Sequence, residues 1–121
     1  MDMRILIVEN EAVQSGILAE CVSLLGYTPV VATGFRAALT LLSGPPPELV
    51  LLDLVLGDGK GRDLYLAIRR DPEWSEVPVI LTTGLPEPDT YEQARGIEAP
   101  MLRKPFGLAD LRRAVAMNLP V

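Results

Sequence analysis

The chain has 121 residues, the length of one domain (residues 1–121) that can bury a core without disulfide or metal staples. A net charge of −5 and no long basic run argue against nucleic-acid binding by phosphate neutralisation, and the lack of histidine excludes imidazole catalysis and histidine-ligated metal. One cysteine, no apolar run near the about 20 residues that cross a bilayer, and no cleavable-signal layout at the N-terminus lead us to expect a cytoplasmic protein in a reducing compartment.

Residues 3–8 are an apolar run that suits a buried strand, ending in the polar cluster Glu9-Asn10-Glu11. A helix is predicted next, with Asn10 as its N-cap and Val13, Ile17, Cys21, Leu24 and Leu25 facing inward. Cys21 is read as packing in that stripe, and Gly26 as the C′ residue that ends the helix. Residues 28–32 make a second strand. Thr33 is predicted to cap a second helix with the stripe Phe35, Ala38, Leu39 and Leu42. Gly44 and the three prolines after it form a stiff connection.

Residues 49–61 read LVLLDLVLGDGKG. So continuous an apolar run fits a strand buried on both faces of a parallel sheet. Asp53 stands inside it, as a well-paired structural acid or as a reactive group at the strand's C-terminal end, where open α/β sheets place their crevice. Gly57, Gly59 and Gly61 are read as turn residues that need positive φ. A third helix places Leu64, Ala67 and Ile68 inward and Arg62, Arg69 and Arg70 outward, and stops at Asp71-Pro72. Residues 77–82 form a fourth strand entered through Pro78. A short helix over 89–95, ended by Gly96, leads to a fifth strand over 99–103. After the junction Lys104-Pro105-Phe106, a last helix carries Leu108, Leu111 and Val115 on one face. Five strands alternating with five helices predict an α/β fold, a flavodoxin-like five-stranded parallel sheet of order 2-1-3-4-5.

That order makes the ends of strands 1 and 3 neighbours, so Glu9, Asn10 and Asp53 share one crevice. Three oxygen-bearing side chains suit a hard cation of the Mg²⁺ type, which would relieve the repulsion between the acids. Thr82-Thr83 and Lys104 bring a hydroxyl and an ammonium to the same edge. These are the parts that hold a phosphoryl group and neutralise its charge.

The Glu9-Asn10 pair after ILIV, the LLD run with Gly61 eight residues on, VPVILTTG, KPF and the βα alternation together resemble the receiver domain of two-component response regulators, over essentially the whole chain. The resemblance implies that Asp53 accepts a phosphoryl group from a phosphohistidine of a sensor histidine kinase or phosphotransfer protein. It implies Mg²⁺ held by Glu9, Asn10, Asp53 and the Val55 carbonyl. Thr83, the Gly84 backbone N–H and Lys104 would hold the phosphoryl oxygens, Gly61 would turn the chain into its helix, and Lys104-Pro105 would be a cis peptide. The expected protein catalyses only its own phosphorylation and dephosphorylation. It is expected to signal by protein contact, as a monomer or phosphorylation-dependent dimer, without a DNA-binding output domain.

Three positions depart from the family. Asn10 replaces a second acid and predicts weaker Mg²⁺ affinity. Met101 stands where an aromatic residue usually follows the moving hydroxyl, so that coupling is altered. Val55 and Leu85 are apolar where polar groups often position hydrolytic water, which predicts slow loss of the phosphoryl group. Competing readings are a pseudo-receiver that is never phosphorylated and the receiver fragment of a hybrid histidine kinase. An aspartyl-nucleophile phosphatase is a third, but Val55 sits where such an enzyme needs its second Asp. Arg103, Arg112 and Arg113 mark either a partner surface or a solvated face.

Overall fold

The apolar runs become five strands and the segments between them five helices, in a computed structural model that describes residues 2–119. Residues 1, 120 and 121 of the expected domain lie outside the described residues. The strands are β1 (Arg4–Val8), β2 (Thr28–Ala32), β3 (Leu49–Asp53), β4 (Val79–Thr83) and β5 (Met101–Arg103). The helices are α1 (Ala12–Leu24), α2 (Phe35–Leu41), α3 (Gly61–Arg70), α4 (Glu87–Gln93) and α5 (Leu108–Asn118). The strands pair in parallel in the predicted order β2-β1-β3-β4-β5.

Alternate residues of each strand feed opposite faces. Leu6, Val8, Val50, Leu52 and Leu81 pack with Ala38, Leu64, Ile68 and Trp74 on the side of α2 and α3. Ile5, Ile7, Leu49, Leu51 and Ile80 pack with Val22, Leu111 and Val115 on the side of α1 and α5. Helices on both faces explain why β3 and β4 are buried at every position and read as apolar runs up to the polar residues Asp53, Thr82 and Thr83 at their C-terminal ends.

Several local expectations are corrected. The inward face of α1 is Ser15, Leu18 and Val22, while Val13, Ile17 and Leu24 are exposed and Cys21 is only half-buried. Polar and apolar residues are mixed around the helix, so its sequence does not say which face turns in. Asn10 is not its N-cap: Glu11 holds that place, without a side-chain cap. Nor does Thr33 cap α2. The Asp58 carboxylate, from the loop after β3, accepts the amides of Phe35 and Arg36 at 2.7 and 3.1 Å. Leu39 and Leu108 are exposed at the edges of their stripes.

Arg62 and Arg69 are not simply solvated. Arg62 donates to the carbonyls of Gln93 and Arg95, and Arg69 to those of Ser75 and Val77 while lying over the Tyr65 ring. β4 begins and ends later than predicted, so Thr83 is within the strand; α4 begins earlier and β5 is shorter. Trp74, unassigned by the sequence reading, is buried and its indole N–H donates to the Gly44 carbonyl at 3.1 Å.

Of the three glycines after β3, only Gly57 has a left-handed φ, of +77°. Gly61 answers to space instead. A Cβ there would overlap the Asp53 carbonyl oxygen and lie 2.7 Å from Leu54 Cα. Its own amide donates to the Leu54 carbonyl at 2.9 Å, drawing α3 onto the end of β3.

Candidate functional site

The β1 and β3 register, Val8 against Leu52, brings Glu9 and Asp53 side by side at the C-terminal edge of the sheet. Both are buried. Lys104 reaches them from the end of β5. Its Nζ donates to Asp53 Oδ2 at 2.5 Å, to Glu9 Oε1 at 2.6 Å and to Gln14 Oε1 at 3.0 Å. Three donors thus meet three acceptors. The other carboxylate oxygens are also occupied: Asp53 Oδ1 accepts the Val55 amide at 2.9 Å, and Glu9 Oε2 accepts the Glu11 amide at 3.1 Å.

Two carboxylates and one ammonium leave a surplus negative charge in a desolvated crevice. Burial pushes the Asp53 carboxyl above its ordinary range, against the opposing pull of Lys104 and the Val55 amide, and Glu9 adds to the rise. Burial alone would lower the Lys104 ammonium, but its hydrogen bonds to Asp53 and Glu9 hold it above the usual lysine value. This excess of negative charge and an oxygen-only donor set fit a hard divalent cation.

Asn10 is exposed, and its amide lies against Gly57 in the loop that follows Asp53; a Cβ on Gly57 would come within 2.8 Å of the Asn10 amide nitrogen. Next to Glu9 in the chain and against the loop that follows Asp53, it stands at the rim of the same crevice and carries no charge. Among the described residues no group of three or more Asp, Glu, Cys or His side chains is placed to hold a metal.

Thr83 is fully buried, with its hydroxyl turned toward α4 rather than hydrogen-bonded to Asp53. Its Oγ1 accepts the Leu85 amide at 3.0 Å and lies 3.1 Å from Thr90 Oγ1. Thr90 donates in turn to the Leu85 carbonyl at 3.1 Å. Gly84 is exposed beside the Lys104 side chain, Met101 packs half-buried against the core, and Lys104-Pro105 is a cis peptide. Val55 is exposed and Leu85 half-buried.

The structure therefore joins Glu9, Asp53 and Lys104 by direct contact, sets Asn10 at the rim, and holds Thr83 away. Sequence reasoning missed Gln14 and Thr90. Gln14 could have been found as the polar residue one helical turn past Asn10; nothing local marks Thr90.

The family profile of the response regulator receiver domain matches residues 5–116. The phosphate regulon transcriptional regulatory protein PhoB of Escherichia coli is 31% identical over 114 residues, covering 92% of this chain and 49% of that protein. The chain thus spans about half the length of the curated relatives it matches. The N-terminal domain of a response regulator/sensory box/GGDEF protein from Carboxydothermus hydrogenoformans superposes with a TM-score of 0.83 at 34% identity, covering 94% of this chain and 91% of that one. The receiver domain of a sensor histidine kinase from Pseudomonas aeruginosa, solved with magnesium in its active-site cleft, gives 0.90 at 23% identity over 97% of both chains. With the sheet order, the paired acids bridged by a lysine and the profile match all in agreement, the chain belongs to the response regulator receiver domain family of two-component signalling.

Proposed function

We propose that this receiver accepts a phosphoryl group on Asp53 from a phosphohistidine of a sensor kinase or phosphotransfer protein, and signals by protein contact. The observation that carries this reading is the Lys104 ammonium bound at once to Asp53 and Glu9 at the sheet edge. It fixes a buried carboxylate in one orientation, beside a cation able to meet the charge of an incoming phosphoryl group.

In the transfer, Asp53 Oδ forms a bond to phosphorus while the P–N bond of phosphohistidine breaks. The bonding pair leaves with the imidazole nitrogen, which takes a proton from solvent. Asp53 Oδ1, already held by the Val55 amide, keeps the carboxylate from rotating. Lys104 stays within reach of the new oxygens, and Thr83 with the Gly84 amide supplies further donors. Glu9, Asn10, Asp53 and the Val55 carbonyl would hold Mg²⁺, as the donor set allows. When bound, Mg²⁺ supplies charge neutralisation on the phosphoryl oxygens.

Incubation with acetyl phosphate and Mg²⁺, read by intact-mass spectrometry, tests the proposal. A phosphate adduct is expected on the wild type and none on Asp53→Ala. Asn10 in place of an acid favours a second reading, a pseudo-receiver that binds partners without phosphorylation. An unmodified wild type would select it.

A further inference from the structure

The hydroxyl of Thr83 is committed. Thr90 has one hydroxyl proton, and the Leu85 carbonyl lies 3.1 Å from its oxygen. If that proton goes to Leu85, the Thr83 proton goes to Thr90 Oγ1, and the Leu85 amide fills an acceptor place on Thr83. Every donor of the cluster is then satisfied. The reverse direction would leave the Thr83 proton without an acceptor in a fully buried position, and buried polar groups avoid that.

The geometry points to Thr90 as a positioning residue for the switch: it holds the Thr83 proton in the resting state and competes with the phosphoryl group for it. This rests on the proposed role of Thr83 as a phosphoryl donor. Thr90 belongs to α4, where its own amide is bonded to the Pro86 carbonyl at 2.9 Å. The Leu85 carbonyl that anchors Thr90 also accepts from Arg103 at 3.0 Å, and Arg103 pairs with Glu87 at 2.5 Å. Thr83 cannot turn to a phosphoryl oxygen without leaving Thr90, so its movement frees one hydrogen bond that ties β4 to α4. With Met101 in the aromatic position, this hydroxyl relay supplies a mechanical link between the site and α4.

The consequence is an equilibrium that Thr90 biases toward rest. Replacing it by valine keeps the shape, removes the acceptor, and leaves the Thr83 proton unmet in the resting arrangement alone. An unmet buried hydroxyl shifts such an equilibrium by about tenfold. Beryllofluoride with Mg²⁺, a mimic of the bound phosphoryl group, is the probe. Its affinity is measured by calorimetry and by the amide signals of Gly84 and Leu85. Thr90→Val is expected to bind it about tenfold tighter than wild type, and Thr90→Ser, which keeps the hydroxyl, to match wild type. Thr90→Ala stands in if the valine variant does not fold. Wild type that binds while both hydroxyl-free variants are unchanged or weaker overturns the role of Thr90 alone. No binding by any variant overturns it together with the phosphoacceptor reading.

Discussion

Replacing Gly61 by alanine tests how Asp53 is held in place. A Cβ there overlaps the Asp53 carbonyl oxygen, and lies 2.7 Å from Leu54 Cα and 3.0 Å from the Asp53 carbonyl carbon. All three are backbone atoms of the β3 end, so no side chain can swing away. Relief requires α3 and β3 to part by most of an ångström, which lengthens the 2.9 Å bond from the Gly61 amide to the Leu54 carbonyl. Overpacking of this kind costs about 1–3 kcal/mol and a weakened hydrogen bond about 1 more. Alanine's better helix propensity returns roughly 0.5–1 kcal/mol at this first position of α3. The net loss is about 1–3.5 kcal/mol, a large share of the roughly 5–15 kcal/mol of a typical domain, and near the middle of that range it lowers the melting temperature by about 10 °C. Urea unfolding of the two proteins measures it. Acetyl phosphate labelling should slow in the variant, because the displaced backbone carries Asp53. A variant as stable as wild type or more so would refute the close approach, since alanine in free space at this φ would stabilise.

Two further outcomes follow from the same loops. Asn10→Asp adds a charge at the rim of a crevice that already favours cations, and at an effective dielectric near 20 this should tighten Mg²⁺ binding by at least about tenfold; calorimetric titration that shows no gain would place Asn10 outside the metal site. Asp58 caps α2, and the amides of Phe35 and Arg36 hold its carboxyl below the usual carboxylate range. A lowered folded pKa means that the stabilisation is present above the unfolded value, near about 4, and is lost as pH falls through the folded one. Asp58→Asn should therefore melt below wild type at neutral pH, and the gap should close as pH drops below about 4; a gap constant with pH would deny the charged cap.

What could be read from the chain was what repeats or is chemically out of place. The alternation of apolar runs with helical segments gave the sheet order, because parallel strands and right-handed crossovers leave few alternatives. Asp53 was visible as the one charge in an otherwise wholly apolar strand, and Lys104 through the KPF run that follows the last strand. The helix caps were not legible. Asn10 and Thr33 had the right chemistry in the right place, but the group that closes α2 is Asp58, 23 residues beyond Phe35. The face of α1 was hidden for a different reason. Val13, Ile17 and Leu24 are as apolar as the residues that turn in, and Ser15 is buried with its hydroxyl satisfied by the Ala12 carbonyl at 3.1 Å. Thr90 was equally invisible. Its burial depends on α4 docking over β4, which no local pattern records.

The resting contacts also set the direction in which a signal leaves the site. A phosphoryl group on Asp53 brings three acceptor oxygens and about 1.5–2 negative charges. Beside the Gly84 amide, two side-chain donors are proposed for them, and both are engaged. Lys104 already touches Asp53, so it can exchange one acceptor for another with little movement of β5, and the Gln14 contact on α1 can stretch without cost to a buried group, since Gln14 is exposed. Thr83 is different. Its partner is the buried Thr90, and the Leu85 carbonyl links that bond to Arg103 and Glu87. Exchange at Thr83 must therefore rearrange the β4–α4 loop, whereas exchange at Lys104 need move nothing. On the proposed reading the ammonium neutralises charge and the hydroxyl carries the message, and the surface that changes is that of α4 and Arg103 rather than α1.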